Sequence, residues 1–142
     1  MQHSNKFAMA AVLLAIGTTG CAKSSEFDSE PPADAASVKT VNGVEQVTLS
    51  PEGVRRLGIE TGSVGQSGGQ KVIPYASVLY APDGSTFTFV SPKPRTYHEA
   101  KIVVDHIDGK RAILKSGPAT GTPVVTVGSA ELIGTAHGVE ED

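Results

Sequence analysis

Residues 72–90 read VIPYASVLYAPDGSTFTFV. The first arm is rich in Val, Ile, Leu and Tyr, which suit a pleated, half-buried surface. Pro82-Asp83-Gly84 then supplies a fixed φ, a side chain that bonds its own backbone, and a residue free to take φ > 0. In the second arm Phe87 and Phe89 share one face while Thr86 and Thr88 take the other, the period of a half-buried strand. The pattern predicts two strands around one tight turn. Tyr75, Tyr80, Phe87 and Phe89 all fall here, out of 4 Phe and 3 Tyr in a chain without Trp, so the core is expected to form around this hairpin.

The flanking sequence extends a β pattern in both directions. Val44 to Leu49 alternates as a strand. Ser50-Pro51-Glu52 opens a short helix, with Ser as N-cap, Pro at the first position and an acid at the positive end of the dipole. Val54 and Leu57 fall on one face of that helix, Arg55 and Arg56 point outward, and Gly58 is placed to stop it. The glycine-rich run from Gly62 to Gly69 lacks the spacing of a phosphate cradle and precedes a strand, so it reads as a flexible linker. Ser91-Pro92-Lys93-Pro94 reads as a loop, since proline cannot donate to a ladder. Lys101–Val104 and Ala112–Leu114 read as strands joined across Asp108-Gly109, with Val104 facing Ile113 and His106 facing Arg111. Pro123 opens a short buried strand, and Leu132 is expected to tuck under the sheet. The fold class is therefore mainly β: a small antiparallel β-sandwich or barrel-like domain with one short helix at about residues 51–57.

The same stretches carry a resemblance. Ile73-Pro74-Tyr75-Ala76-Ser77-Val78-Leu79, then Asp83-Gly84-Ser85-Thr86 and the aromatic run, resemble the C-terminal, membrane-proximal domain of the periplasmic adaptor subunits of RND-type efflux pumps, the membrane fusion proteins. Val47 to Val64 is similar to the strand-helix-strand that begins the folded part of many adaptors. Gly117 to Gly128 resembles the family's closing motif, with Pro118 and Thr122 where Leu and Asp are usual. In full-length members a lipoyl-like domain, an α-hairpin and a β-barrel lie between the first two strips; here Gly65–Gly69 joins them directly. The resemblance covers most of Val47 to Gly138. It implies a stand-alone membrane-proximal domain that contacts an inner-membrane transporter or a full-length adaptor. Lacking the α-hairpin between those strips, such a chain does not bridge to an outer-membrane channel.

The ends have a different character. Lys6, the apolar run Phe7–Ile16 and the small residues Gly17–Gly20 read as a signal peptide over residues 1–20, too short to span a bilayer. Gly20-Cys21 resembles the cleavage site of bacterial lipoproteins, with Thr18 where Leu is usual, and implies acylation of Cys21. Cleavage after Ala22, or a free Cys21 thiol, stand as the other readings. Residues 21–40, rich in Ser, Pro and acid, read as a flexible tether spanning roughly 20–25 Å. The β domain is assigned to 41–138 and an acidic tail to 139–142. These features imply an exported chain, anchored to the outer face of the cytoplasmic membrane on its periplasmic or cell-surface side.

Composition narrows the function. A net charge of -3 with 19% charged residues excludes a basic nucleic-acid surface as the main business of the chain. One cysteine excludes an internal disulfide and a Cys-based zinc site. Asp105, His106 and Asp108 sit at an exposed hairpin tip, and His98 and His137 are far apart in sequence, so no metal site and no cofactor is expected. No nucleophile elbow or paired acid and base occurs, which argues against an enzyme. The expected function is that of an exported, lipid-anchored, non-enzymatic accessory or interaction module of an efflux transporter or adaptor. The alternative is a small ligand- or metal-binding lipoprotein unrelated to transport; stoichiometric copper or zinc in equilibrium dialysis would favour it.

Overall fold

The computed structural model describes residues 35–138. Strands β1 (Ala36–Val41) and β2 (Val44–Leu49) pair antiparallel through Asn42-Gly43, where both residues hold a positive φ of 52° and 77°. That is the primed turn whose twist matches its strands, and Asn-Gly is its preferred sequence. Strand β1 therefore covers residues 36–40 of the span 21–40 read as tether. Signal peptide, Cys21 and acidic tail lie outside the described residues.

Helix α1 (Pro51–Leu57) follows the capping logic closely. Ser50 Oγ accepts the Gly53 N–H at 3.0 Å, Pro51 occupies the first turn, and Gly58 ends the helix in the left-handed region at φ 62°. Ser50→Ala is expected to cost about 1 kcal/mol, read as a lowered urea midpoint, and Ser50→Gly only a few tenths. Equal losses for the two would exclude the capping account.

The next strands, β3 (Glu60–Ser63) and β4 (Gly65–Ser67), are separated by Val64 alone. β4 pairs with β5 (Gln70–Pro74) through Gly68-Gly69, both at positive φ. The stretch read as a linker is thus a hairpin, and its adjacent glycines are the two central residues of a primed turn. A 3-10 turn at Tyr75–Ser77 leads to the two-residue β6 (Leu79–Tyr80). Then come β7 (Thr86–Lys93), β8 (Thr96–Asp108), β9 (Arg111–Ser116), β10 (Pro123–Val127) and helix α2 (Ser129–His137).

The hairpin expected over 72–90 is only half present. β6 pairs with β7 as Leu79↔Phe87 and Tyr80↔Thr86, but β5 pairs with β9 instead. The 3-10 turn breaks the apolar arm in two, and the Val78 N–H bonds Tyr75 O at 3.0 Å. Nor do the four aromatics form one core: Phe89 is buried, whereas Tyr75 and Tyr80 are exposed. Residues 91–93 belong to β7 and not to a loop. The ladder shifts between Val90↔His98 and Lys93↔Thr96, leaving Pro92 in an irregularity where it needs no donor.

Two shifts also change the β8–β9 register. Val104 faces Leu114, His106 faces Ile113 and Asp108 faces Arg111, so neither the Val104–Ile113 nor the His106–Arg111 pairing forms. A second helix, α2, joins the one short helix expected at about 51–57, and Leu132, expected to tuck under the sheet, is fully buried within it.

The antiparallel sheet runs β3-β10-β7-β8-β9-β5-β4, with β2 on β8 and β6 on β7. Its first and last members are the two arms of one bent segment, 60–67. The sheet therefore curls into a half-barrel that comes back upon itself at Val64, whose N–H donates to Thr122 O at 2.9 Å while its carbonyl accepts the Gly121 N–H at 2.8 Å.

Both faces of the curl are covered. Val64, Ile73, Val78, Val90, Ile102, Ala112, Leu114 and Val124 fill the inside. Val47, Leu49, Phe89, Tyr97, Val125, Leu132 and Ala136 form a second core outside, where α1 and α2 pack. Neighbouring residues on one strand serve opposite cores, Phe89 and Val90 on β7 and Val124 and Val125 on β10, as the strand period of two requires.

Candidate functional site

The outer face of β7 and β8 carries the candidate site. Phe87 pairs with Lys101 and Phe89 with Glu99, so these four side chains share the face on which α2 lies. The Phe87 and Phe89 rings meet edge to face, centroids 6.1 Å apart, which fixes the Phe87 ring against the buried Phe89. The turn after β6 forms one wall and the last turns of α2 the other. Between them lies a groove of about 660 Å³, lined by Tyr80, Pro82, Phe87, Lys101, Ile133 and His137, with Glu99 on its margin. A smaller hollow of about 280 Å³ runs from the far side of Glu99 under Ala136 to Gly43 and Val44.

The wall is well ordered by local bonds. Asp83 accepts the Ser85 N–H at 2.9 Å, and the Ala81 N–H reaches Ser85 O at 2.9 Å, closing the Pro82-Asp83-Gly84 turn that the sequence signals. Hydrogen bonding from Ser85, with a smaller contribution from the Lys101 charge, holds the Asp83 carboxyl below its ordinary range. Thr86 Oγ1 donates to Ile102 O at 2.8 Å. On the opposite wall His137 Nε2 stands 3.9 Å from Glu99 Oε1. Beyond the groove a hydrogen bond with Tyr75 pushes the Tyr80 phenol up.

The other titratable groups do not converge. Asp105 bonds His106 Nδ1 at 2.9 Å and stands 3.4 Å from Lys115, while Asp108 pairs with Arg111. The His106 bond is the main reason the Asp105 carboxyl lies below its usual range. Among the described residues no three His, Cys, Asp or Glu side chains are placed to hold a metal ion. His98 pairs with Val90 on the inner face, and burial lowers its imidazole below the ordinary value. His137 is on the outer face, so the two imidazoles are separated by the sheet.

Cys21, the one residue singled out from sequence as a modification site, lies outside the described residues. The groove escaped sequence reading because one of its walls, α2, was not expected as a helix. The β8 side was visible: Glu99 and Lys101 alternate with His98, Ala100 and Ile102, which places both on the face that lines the groove. No helix among the described residues is long and apolar enough to cross a membrane. The chain matches no protein-family profile, no curated protein and no solved structure.

Proposed function

We propose that the chain is an exported, non-enzymatic protein, anchored through Cys21 to the outer face of the cytoplasmic membrane. In this reading it serves as an accessory or interaction module of an efflux transporter or of a full-length periplasmic adaptor. One observation supports it above the others. The two strips that resemble an adaptor domain are hydrogen-bonded into a single sheet, β2 on β8 and β3 on β10, although only a hairpin separates them in sequence. Two strips that belong to one domain should close in this way when the intervening domains are absent. Fold likeness does not itself carry function, so the partner must be shown directly.

The test has two parts. Cys21→Ser is expected to shift the protein from the membrane fraction to the soluble exported fraction, because an acyl anchor rather than the β domain holds it there. Mild-detergent capture of the unsubstituted chain from native membranes is expected to bring down an inner-membrane transporter or an adaptor. An unchanged membrane fraction for Cys21→Ser would remove the anchor, and capture of neither partner would remove the transport role.

The groove favours a second reading, a small-ligand-binding lipoprotein. Its volume falls within the range of roughly 300–1,000 Å³ usual for ligand pockets, and an aromatic floor with few polar groups is their usual lining.

A further inference from the structure

We infer that the groove between the β6–β7 turn and α2 binds a small amphiphile: one alkyl or aromatic body carrying a single anionic head, a carboxylate, phosphate or sulfate, seated on Lys101. The inference rests on the ligand-binding reading and specifies the ligand class.

The body is set by the surfaces. Phe87 is held from below by Phe89, Ile133 faces the groove from α2, and Tyr80 and Pro82 close the wall. Tyr80 is 63% exposed and stands beside the Phe87 floor. Covering such surface with an apolar body removes it from water, which favours binding.

The head is set by elimination among the polar groups. The Thr86 hydroxyl is spent on Ile102 O, and the Asp83 carboxylate on the Ser85 N–H. Glu99, on the groove's margin, faces the His137 ring, with Nε2 3.9 Å from Oε1. Lys101 is different: among the described residues it makes no ion pair. It is the cation at the groove left without a counter-charge in contact, and its butyl stem can lie along Phe87 while the ammonium meets the ligand head. A cationic ligand would meet that ammonium directly, and a neutral one would leave it unmatched.

The test uses the full chain carrying Cys21→Ser, titrated at submicellar concentration with dodecanoate, dodecyl phosphate, dodecanol and dodecyltrimethylammonium. Binding is read from NMR shifts of the Phe87 ring and Lys101, which the apolar leader cannot mimic. Both anions are expected to saturate one site, about tenfold more tightly than the alcohol, as one charge-assisted hydrogen bond allows. Lys101→Gln should bring anion and alcohol to within about threefold of one another, and Lys115→Gln, on β9, should leave the preference intact.

Equal binding of alcohol and anion at Phe87 would overturn the anionic-head inference and leave the ligand-binding reading standing. No shift of Phe87 with any probe would overturn both. Two further outcomes also overturn the inference. In the first, the protein sediments with phosphatidylglycerol vesicles without saturable binding of the monomeric probes, which marks a membrane surface. In the second, Lys101 shifts when Glu140, Glu141 and Asp142 are neutralised together while no probe binds, which marks the chain's own carboxylates as the occupant.

Discussion

Phe89→Ala is expected to destabilise the domain by about 3–5 kcal/mol, the usual cost of truncating a buried Phe. Phe89 is 1% exposed and belongs to the outer core with Val47, Leu49, Tyr97, Val125, Leu132 and Ala136. Those residues come from β2, β8, β10 and α2, so the ring sits in a cluster that four elements build together. A cavity at that point cannot collapse easily, because the strand backbones around it are fixed by their own ladders. Domains of this size have about 5–15 kcal/mol in all, so the variant approaches the edge of folding. Urea unfolding followed by circular dichroism reads the loss; Phe89→Leu, which leaves a smaller void, should lose clearly less. The comparison residue is Tyr80 on the neighbouring β6: Tyr80→Ala removes an exposed ring and should change stability little. Similar midpoints for Phe89→Ala and Tyr80→Ala would mean that the outer core does not hold α2 to the sheet.

Gly128→Ala is the second large effect. Gly128 joins β10 to α2 at φ 86°, a conformation that costs a residue with a Cβ about 1–2 kcal/mol. An added methyl there would collide with Ile59 Cδ1 and stand 3.0 Å from Leu57 O, at the exit of α1. Overpacking of that kind adds about 1–3 kcal/mol. Gly43→Ala separates the two contributions. Gly43 has φ 77° but open space around its Cα, so it should show the backbone cost alone. Thermal unfolding is the measurement: each kcal/mol is worth about 4–8 °C in a domain of roughly 100 residues. Gly128→Ala should fall well below Gly43→Ala. Equal shifts would show that the Leu57–Ile59 segment yields without cost beside Gly128.

How far the sequence disclosed this arrangement depended on how local the deciding forces are. The run Ser50 to Gly58 was fully legible, because an N-cap, a first-turn proline and a left-handed glycine act within a few residues. Pro123 at the head of a buried strand was legible for the same reason. Asn42-Gly43 and Gly68-Gly69 were equally local signals, and weighing them would have shown both missed hairpins. The split of residues 72–90 was not open to local reading. β5 takes β9 as its neighbour, a choice made by the curl of the whole sheet. Residues 91–93 and the β8–β9 register went astray because ladder irregularities move every later pair, and composition does not announce them. α2 was missed since Gly134 and Thr135 weaken its intrinsic propensity; packing of Leu132 and Ala136 holds it instead. With α2 unread, the groove beneath it could not be seen.

The bend at Val64 has a consequence for how this chain reaches its final state. One short segment closes the structure from both ends, yet its two neighbours are β5, a few residues away, and β10, some sixty residues later. The near pairing can form early, but the distant one waits until almost the entire polypeptide is available, and ordering so long a loop is slow. No fragment that stops short of residue 123 can satisfy both arms, so acquisition of structure should be all-or-none, with its last lock set at the carboxyl end.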